Sequence, residues 1–251
     1  MGEKMKKATT LLLAGIAAVT MAASAHAETL VNGIDAAFPP FAFIDTDGKA
    51  KGFDVEAVNW IAKEMGFEVK HQPVAWEGII PSLMANKIDF ICSGMSITPK
   101  RAEQVNFTDP YWKVINVFVV KKDSQLNSEQ VLTGGKKVGL QQGTAEEQWL
   151  SDARKTNPTW NFEARQYSAA QMALGDVLNG RIDAAGMNEA PANDAIKNGQ
   201  PVKIAGTFGN EEAYGCAVRK GDSELLKKLN EGYARLMKSP KWEELKAKYK
   251  P

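Results

Sequence analysis

Histidine and cysteine are almost missing from this chain, which carries only two of each in 251 residues. Beyond the first 27 residues the only histidine is His71, and no cluster of ligating side chains surrounds Cys92 or Cys216. A metal centre therefore lacks its donors, and no metal or cofactor is expected. An excess of either charge is lacking too, with 31 basic against 30 acidic residues. Nothing in that balance favours nucleic acid. The basic run from Lys241 to Lys250 is interleaved with Glu243 and Glu244 and reads as a solvated helix face. Long apolar stretches are confined to the N-terminus: after Ala23 no run approaches the roughly 18 residues that a membrane span needs.

What the N-terminus does contain is an export signal. Lys4, Lys6 and Lys7 precede the apolar run Leu11 to Ala23, and Ala25-His26-Ala27 offers a small-x-small cleavage site. Residues 1–27 are expected to be a signal peptide cleaved after Ala27, with Met1 or Met5 as the start, and the mature protein to be soluble and periplasmic. Its formal charge becomes −1, from 28 basic and 29 acidic residues. The remaining length suffices for two small domains with their own cores. Cys92 and Cys216 lie in apolar, strand-like runs. In an oxidising compartment they either form a disulfide or remain two small buried hydrophobes, and the sequence leaves both open.

Strand and helix patterns alternate along the chain, which predicts an α/β fold with parallel β-α-β units. Strands are expected at Leu30–Ile34, Glu68–Val74, Ile88–Cys92, Lys137–Leu140, Asn161–Ala164 and Ile182–Gly186. Val55, Val58, Ile61, Ala62 and Met65 recur at helical spacing until Gly66, and further helices are expected at Trp76–Ala85, Ala145–Ala153, Ser223–Met237 and Pro240–Tyr249. Asp35 to Phe43 reads as a loop fixed by Pro39 and Pro40. Asn86-Lys87-Ile88-Asp89 is echoed by Gly180-Arg181-Ile182-Asp183, each before a strand and after an apolar helix, so the chain looks like two similar lobes. The β-rich runs Val114–Lys121 and Tyr214–Val218 are expected where the chain crosses between them. We place the first lobe at residues 28–115 and 214–251 and the second at 116–213.

The most informative stretch is Ser93-Gly94-Met95-Ser96-Ile97-Thr98-Pro99-Lys100-Arg101. Thr98 suits an N-cap and Pro99 the first helical position, where a missing N–H costs nothing. Free N–H groups at that helix start, two serine hydroxyls and the planar fork of Arg101 together make a clamp for a small carboxylate. The plainer alternative is a solvated Arg101 paired with Glu103. Ligands in open α/β sheets bind outside the carboxyl ends of strands, where Asp35–Phe38, Ser93–Arg101, Gln141–Thr144 and Met187-Asn188 all fall. Two of these segments come from each lobe, which places the site in the cleft between them.

Asp35-Ala36-Ala37-Phe38-Pro39-Pro40-Phe41, Gly52-Phe53-Asp54, Trp76-Glu77-Gly78-Ile79-Ile80-Pro81, Ser93 to Arg101, Asn106-Phe107-Thr108-Asp109-Pro110-Tyr111 and Gln142-Gly143-Thr144 occur in this order. In that combination the chain resembles the polar amino-acid-binding proteins of bacterial ABC importers. The resemblance implies a two-lobed periplasmic-binding-protein fold of the Venus-flytrap type, with two crossover strands, that closes on a free L-amino acid and presents it to a membrane permease. It implies that Arg101 grips the α-carboxylate with Ser96 and the main chain at Gly143-Thr144, while Ser93 and Gly94 meet the α-amino group. Phe38 and Trp76 would sandwich the ligand side chain, and Asp35 would reach a polar or cationic end or else merely cap its strand. Met95, Gln141 and Asn188 complete the expected contact set, Met95 doubling as a packing residue. A monomer is expected.

Two positions depart from that pattern. Asn188 stands where the family has an aspartate for the ligand's ammonium, and Ala145 where several relatives have a second hydroxyl. An unusual amino acid, or a carboxylate whose amine is modified or absent, is therefore the alternative to a polar or basic amino acid. An exported dehydratase on the same fold is a further alternative, with Asp35, Glu77 or Glu146 as its acid. A sensory module is the last, although no signalling domain accompanies the lobes.

Overall fold

The computed structural model describes residues 28–250, so the expected signal peptide lies outside the described residues. The first lobe opens with β1 (Thr29–Ile34), then the small strands β2 (Ala37–Phe38), β3 (Ala42–Ile44) and β4 (Ala50–Lys51). Next come α1 (Phe53–Met65), β5 (Glu68–Pro73), a 3-10 turn at Trp76–Gly78, α2 (Ile79–Met84), β6 (Phe90–Ile91), α3 (Pro99–Ala102) and β7 (Val105–Phe107). The chain crosses on β8 (Trp112–Lys121) and builds α4 (Ser128–Thr133), β9 (Lys137–Gln141), α5 (Ala145–Thr156) and β10 (Glu163–Tyr167). After α6 (Ala170–Leu178), β11 (Ala184–Asn188) and α7 (Glu189–Lys197) it returns along β12 (Val202–Tyr214). It ends with β13 (Ala217–Arg219), α8 (Ser223–Lys238) and α9 (Pro240–Tyr249).

Two mixed five-stranded sheets result, ordered β5-β1-β6-β13-β7 and β10-β9-β11-β8-β12. In the first, β1 is parallel to β5 and β6, whereas β13 returns antiparallel to β6 and β7. In the second, β9, β10 and β11 are parallel, the long strand β8 runs antiparallel to β11, and β12 runs antiparallel to β8 at the edge. The β8–β12 pair breaks register between Phe208 and Glu212, then resumes with Glu212 opposite Val114 and Tyr214 opposite Trp112. Such a bulge bends the ladder where the two strands leave the second lobe.

Burial follows side-chain direction. Successive residues of β8 point to opposite faces, so Val117 and Val119 join a core under α6 while Phe118 and Val120 join another with Leu140, Leu150 and Phe162. In the first lobe Phe53, Val58 and Ile61 of α1 pack against Leu229, Tyr233 and Leu236 of α8 and Trp242 of α9. Each such apolar side chain contributes about 1.5–3 kcal/mol on leaving water.

Three departures from expectation have local causes, and the open question of the cysteines is answered. Ile88–Cys92 narrows to β6, because Asp89 turns away to accept the Val31 N–H at Oδ2. The Asp35–Phe43 loop carries β2 and β3, part of a small sheet of its own. β12 and α7, which carried no assigned pattern, are a strand of mixed polarity along the second sheet's edge and a helix rich in alanine. Cys92 and Cys216, beside the antiparallel β6 and β13, form a disulfide with Cα atoms 4.5 Å apart.

Candidate functional site

The strand ends of both sheets meet around a narrow cleft. From the first lobe it is lined by Asp35, Phe38, Trp76, Ser93, Gly94, Ser96 and Arg101, and from the second by Gln141, Thr144, Ala145, Glu146 and Asn188. Ten of the twelve expected contact residues thus share one wall. Met95 and Gly143 do not. Met95 is fully buried in the core with Trp76 and Ile79, because its strand-end neighbours Ser93 and Ser96 take the cleft side. Gly143 lies outside the cleft, and its N–H, expected to face a carboxylate, instead donates to Glu147 Oε2 at 3.0 Å.

Arg101 sits at the centre. Thr98 caps α3 and Pro99 starts it, which sends Arg101 inward, 8 % exposed. It does not pair with Glu103: its Nη1 donates to Ser96 O at 2.9 Å and its Nη2 to Gly143 O at 3.1 Å. Two of its five N–H donors are thereby fixed, and the remaining three stay available for an anion. The guanidinium also lies 5.4 Å from the Trp76 ring centroid. Burial lowers its pKa, an effect opposed by the charges of Glu146 and Glu212.

The loop after β6 is shaped from beneath. Gly94 has φ +60°, and a Cβ there would stand 2.5 Å from the Phe38 ring, so only glycine lets the aromatic wall close over the strand end. Its N–H donates to Asp54 Oδ2 at 2.6 Å, and Tyr111 donates to the same oxygen at 2.8 Å. Asp54 is fully buried, and its other oxygen has no partner. Burial raises its pKa to about 7. Ser93 Oγ accepts from Asp35 N at 2.9 Å, tying the two strand ends together.

The lobes are closed on each other. Gln141 Nε2 donates to Asp35 Oδ2 at 2.7 Å, Trp76 Nε1 to Gly143 O at 3.2 Å, and Lys100 Nζ to Gln148 Oε1 at 2.6 Å. Burial raises the pKa of Asp35, and the Gln141 hydrogen bond moderates the rise.

A polar chain runs from the cleft into the crossover strands. Asn188 Oδ1 accepts from Tyr214 Oη at 2.8 Å, and its Nδ2 donates to Asn116 Oδ1 at 2.6 Å. Asn116 Nδ2 then donates to Glu212 Oε1 at 3.0 Å. Glu146, in the first turn of α5, was foreseen only as a possible acid and not as a wall residue. It is 4 % exposed, and burial raises its pKa to about 7. Its place in the first turn after the Thr144 N-cap was the one available signal, since helical side chains tilt toward the helix N-terminus, the end of α5 that meets the cleft.

Residues 30–251 match the family model described as "Bacterial extracellular solute-binding proteins, family 3". The chain belongs to that family. Among its relatives is "ABC transporter arginine-binding protein 1" of Escherichia coli (strain K12), 34 % identical over 235 residues that cover 92 % of this chain and 93 % of the relative. The structure of an ancestral arginine-binding protein bound to arginine superposes with a TM-score of 0.82 at 37 % identity, covering 89 % of this chain and 99 % of that one. An ancestral amino acid-binding protein described as a precursor of cyclohexadienyl dehydratase gives 0.80 at 35 % identity, covering 88 % and 95 %. The two-lobed periplasmic-binding-protein fold follows from these matches. Among the described residues no helix is long and apolar enough to cross a membrane, and no group of side chains suits a metal.

Proposed function

We propose that this solute-binding protein captures a free L-amino acid, polar or basic, in the periplasm and delivers it to the permease of an ABC importer. The observation that carries the reading is the buried Arg101 with unused donors in a closed cleft built from both lobes. The α-carboxylate binds Arg101 beside Ser96 and Thr144, and the side chain passes between Phe38 and Trp76. Asp35, held by Gln141, faces its far end. Ser93, Gly94 and Asn188 flank the amine. Contacts to Gln141, Thr144 and Asn188 form only on closure, so ligand shifts the population toward the closed form that a permease reads. Two cleft carboxylates, Asp35 and Glu146, against one arginine favour a cationic ligand, in keeping with relatives named for arginine. Export by cleavage after Ala27 and a monomeric mature protein belong to the same reading.

Calorimetry of refolded, ligand-stripped protein against the common L-amino acids tests it. Micromolar binding, about −8 kcal/mol, is expected for at least one basic member, and Arg101→Ala is expected to abolish it. No heat with any amino acid, or retained affinity in that variant, refutes the reading. A second reading is favoured by Glu146, whose buried carboxyl near neutrality suits a general acid on a fold shared with a dehydratase precursor. Product formation from prephenate or arogenate would establish it.

A further inference from the structure

Asn188 leaves the amine end of the cleft without a charge at the strand end, and its amide is already engaged on both sides, by Tyr214 and by Asn116. A second carboxylate nevertheless faces the same space. Glu146 lines the cleft, is nine-tenths buried, and takes part in no ion pair among the described residues. Arg101, the basic group of the same cleft lining, spends its Nη1 and Nη2 contacts on the carbonyls of Ser96 and Gly143 instead. Ionising a buried carboxyl without a contacting cation is costly, so a cation brought into the cleft that Glu146 lines is stabilised by pairing with it.

We propose that Glu146 is the residue that receives the ligand's α-ammonium, taking over the role that a neutral Asn188 cannot fill. The inference rests on the reading of the cleft as an amino-acid site. Its geometry comes from the ligand's own covalent structure: the ammonium sits on the carbon that bears the carboxylate, so a carboxylate on Arg101 places it beside whichever acid neighbours Arg101. Glu146 is that acid: its charge and that of Glu212 act on the guanidinium, but Glu212 does not line the cleft and accepts from Asn116, and Asp35 is engaged across the cleft with Gln141. The ligand side chain then extends the other way, between Phe38 and Trp76 toward Asp35.

The groups facing Glu146 are Arg101 from α3, Glu212 and Tyr214 from β12, and the hydroxyl of Thr144 at its own helix start. Burial and the like charge of Glu212 hold its proton on near neutrality. An arriving ammonium favours the ionised form, so binding releases a proton into solvent around pH 7 and weakens as the pH falls below it.

The test is calorimetry at pH 7 with L-arginine, L-lysine, L-histidine and L-glutamine, and with the matching carboxylic acids that lack the α-amine, in two buffers of different ionisation enthalpy. Glutamine isolates the amine end, because its neutral side chain brings no cation to Asp35. Wild-type protein is expected to release a proton with each amino acid it binds, glutamine included, and Glu146→Gln to bind them about 10–100-fold more weakly, as loss of one charge-assisted hydrogen bond implies. The amine-free acids are expected to bind both proteins alike. Wild-type binding with proton uptake or no exchange, or affinity in Glu146→Gln within about two-fold of wild type, overturns the inference while leaving the amino-acid reading intact. Failure of wild-type protein to bind any amino acid removes the reading itself. Should Glu146→Gln not fold, the proton count with wild-type protein decides.

Discussion

Asn188 is tuned to its neighbours more than to the cleft. Because Asn116 Nδ2 is given to Glu212, Asn116 presents its carbonyl oxygen to position 188, and only a donor satisfies it there. An aspartate at 188 would keep the Tyr214 hydroxyl but face the Asn116 oxygen. Turning the Asn116 amide repairs that contact and opens another fault, since its oxygen then meets the Glu212 carboxylate. Asn188→Asp is therefore expected to destabilise the protein by about 1–3 kcal/mol, the cost of one buried polar group left unpaired. Adding Glu212→Gln, which supplies a donor to the turned amide, is expected to recover most of the loss. A double-mutant cycle by chemical denaturation measures this coupling, and additive effects of the two substitutions would show that the chain of amides does not set residue 188. Sequence alone flagged 188 as a departure but carried no sign of its reason, because Asn116 and Glu212 stand 96 residues apart on strands whose register a bulge determines.

Among the elements, those punctuated by local chemistry were legible. Gly66 closes α1 in the left-handed region, Thr98 and Pro99 open α3, and Thr144 caps α5, each at or within a residue of its expected place. β12 escaped because its half-exposed residues follow no strict alternation across Gly206 and Gly209, and β6 was overextended because an apolar run does not say where pairing stops. The disulfide was undecidable for a related reason: whether two cysteines on buried strands meet depends on which strands pair. β6 and β13 do pair, and the Cys92–Cys216 bond closes a loop of 124 residues that contains the whole second sheet. Constraint of so long a loop in the unfolded chain implies a stabilisation of about 2–5 kcal/mol. Replacing both cysteines by serine is expected to lower the melting temperature by several degrees. Affinity should change little, since neither sulfur lines the cleft. Calorimetric melts and ligand titrations of the variant check both parts, and a large loss of affinity would tie the bond to the site.

For the whole molecule, stability and ligand binding are linked through the same protons. Asp54 and Glu146 start from ordinary carboxyl values and are raised to about 7 by burial in the fold. Between those limits the native protein holds protons that the unfolded chain has released, so stability rises as the pH falls. The gain is complete below the unfolded values and is lost as pH climbs through about 7. His71 acts oppositely: burial lowers it from 6.5 to about 4, so the unfolded chain binds a proton that the native one refuses, and stability is lost as pH drops through this range. Two acids outweigh one histidine. The melting temperature of ligand-free protein is expected to rise from pH 8 to pH 6.5 and more steeply from there toward pH 5, where both acids hold their protons in the native state. Saturating amino acid keeps Glu146 ionised and removes its share of that slope, so the ligand-induced shift in melting temperature is expected to be larger at pH 8 than at pH 6. Differential scanning calorimetry across this range, with and without ligand, measures both slopes. A ligand-free protein that grows more stable from pH 6 to pH 8 would mean that Asp54 and Glu146 are ionised in the empty fold, and that the cleft holds its negative charge before any ligand arrives.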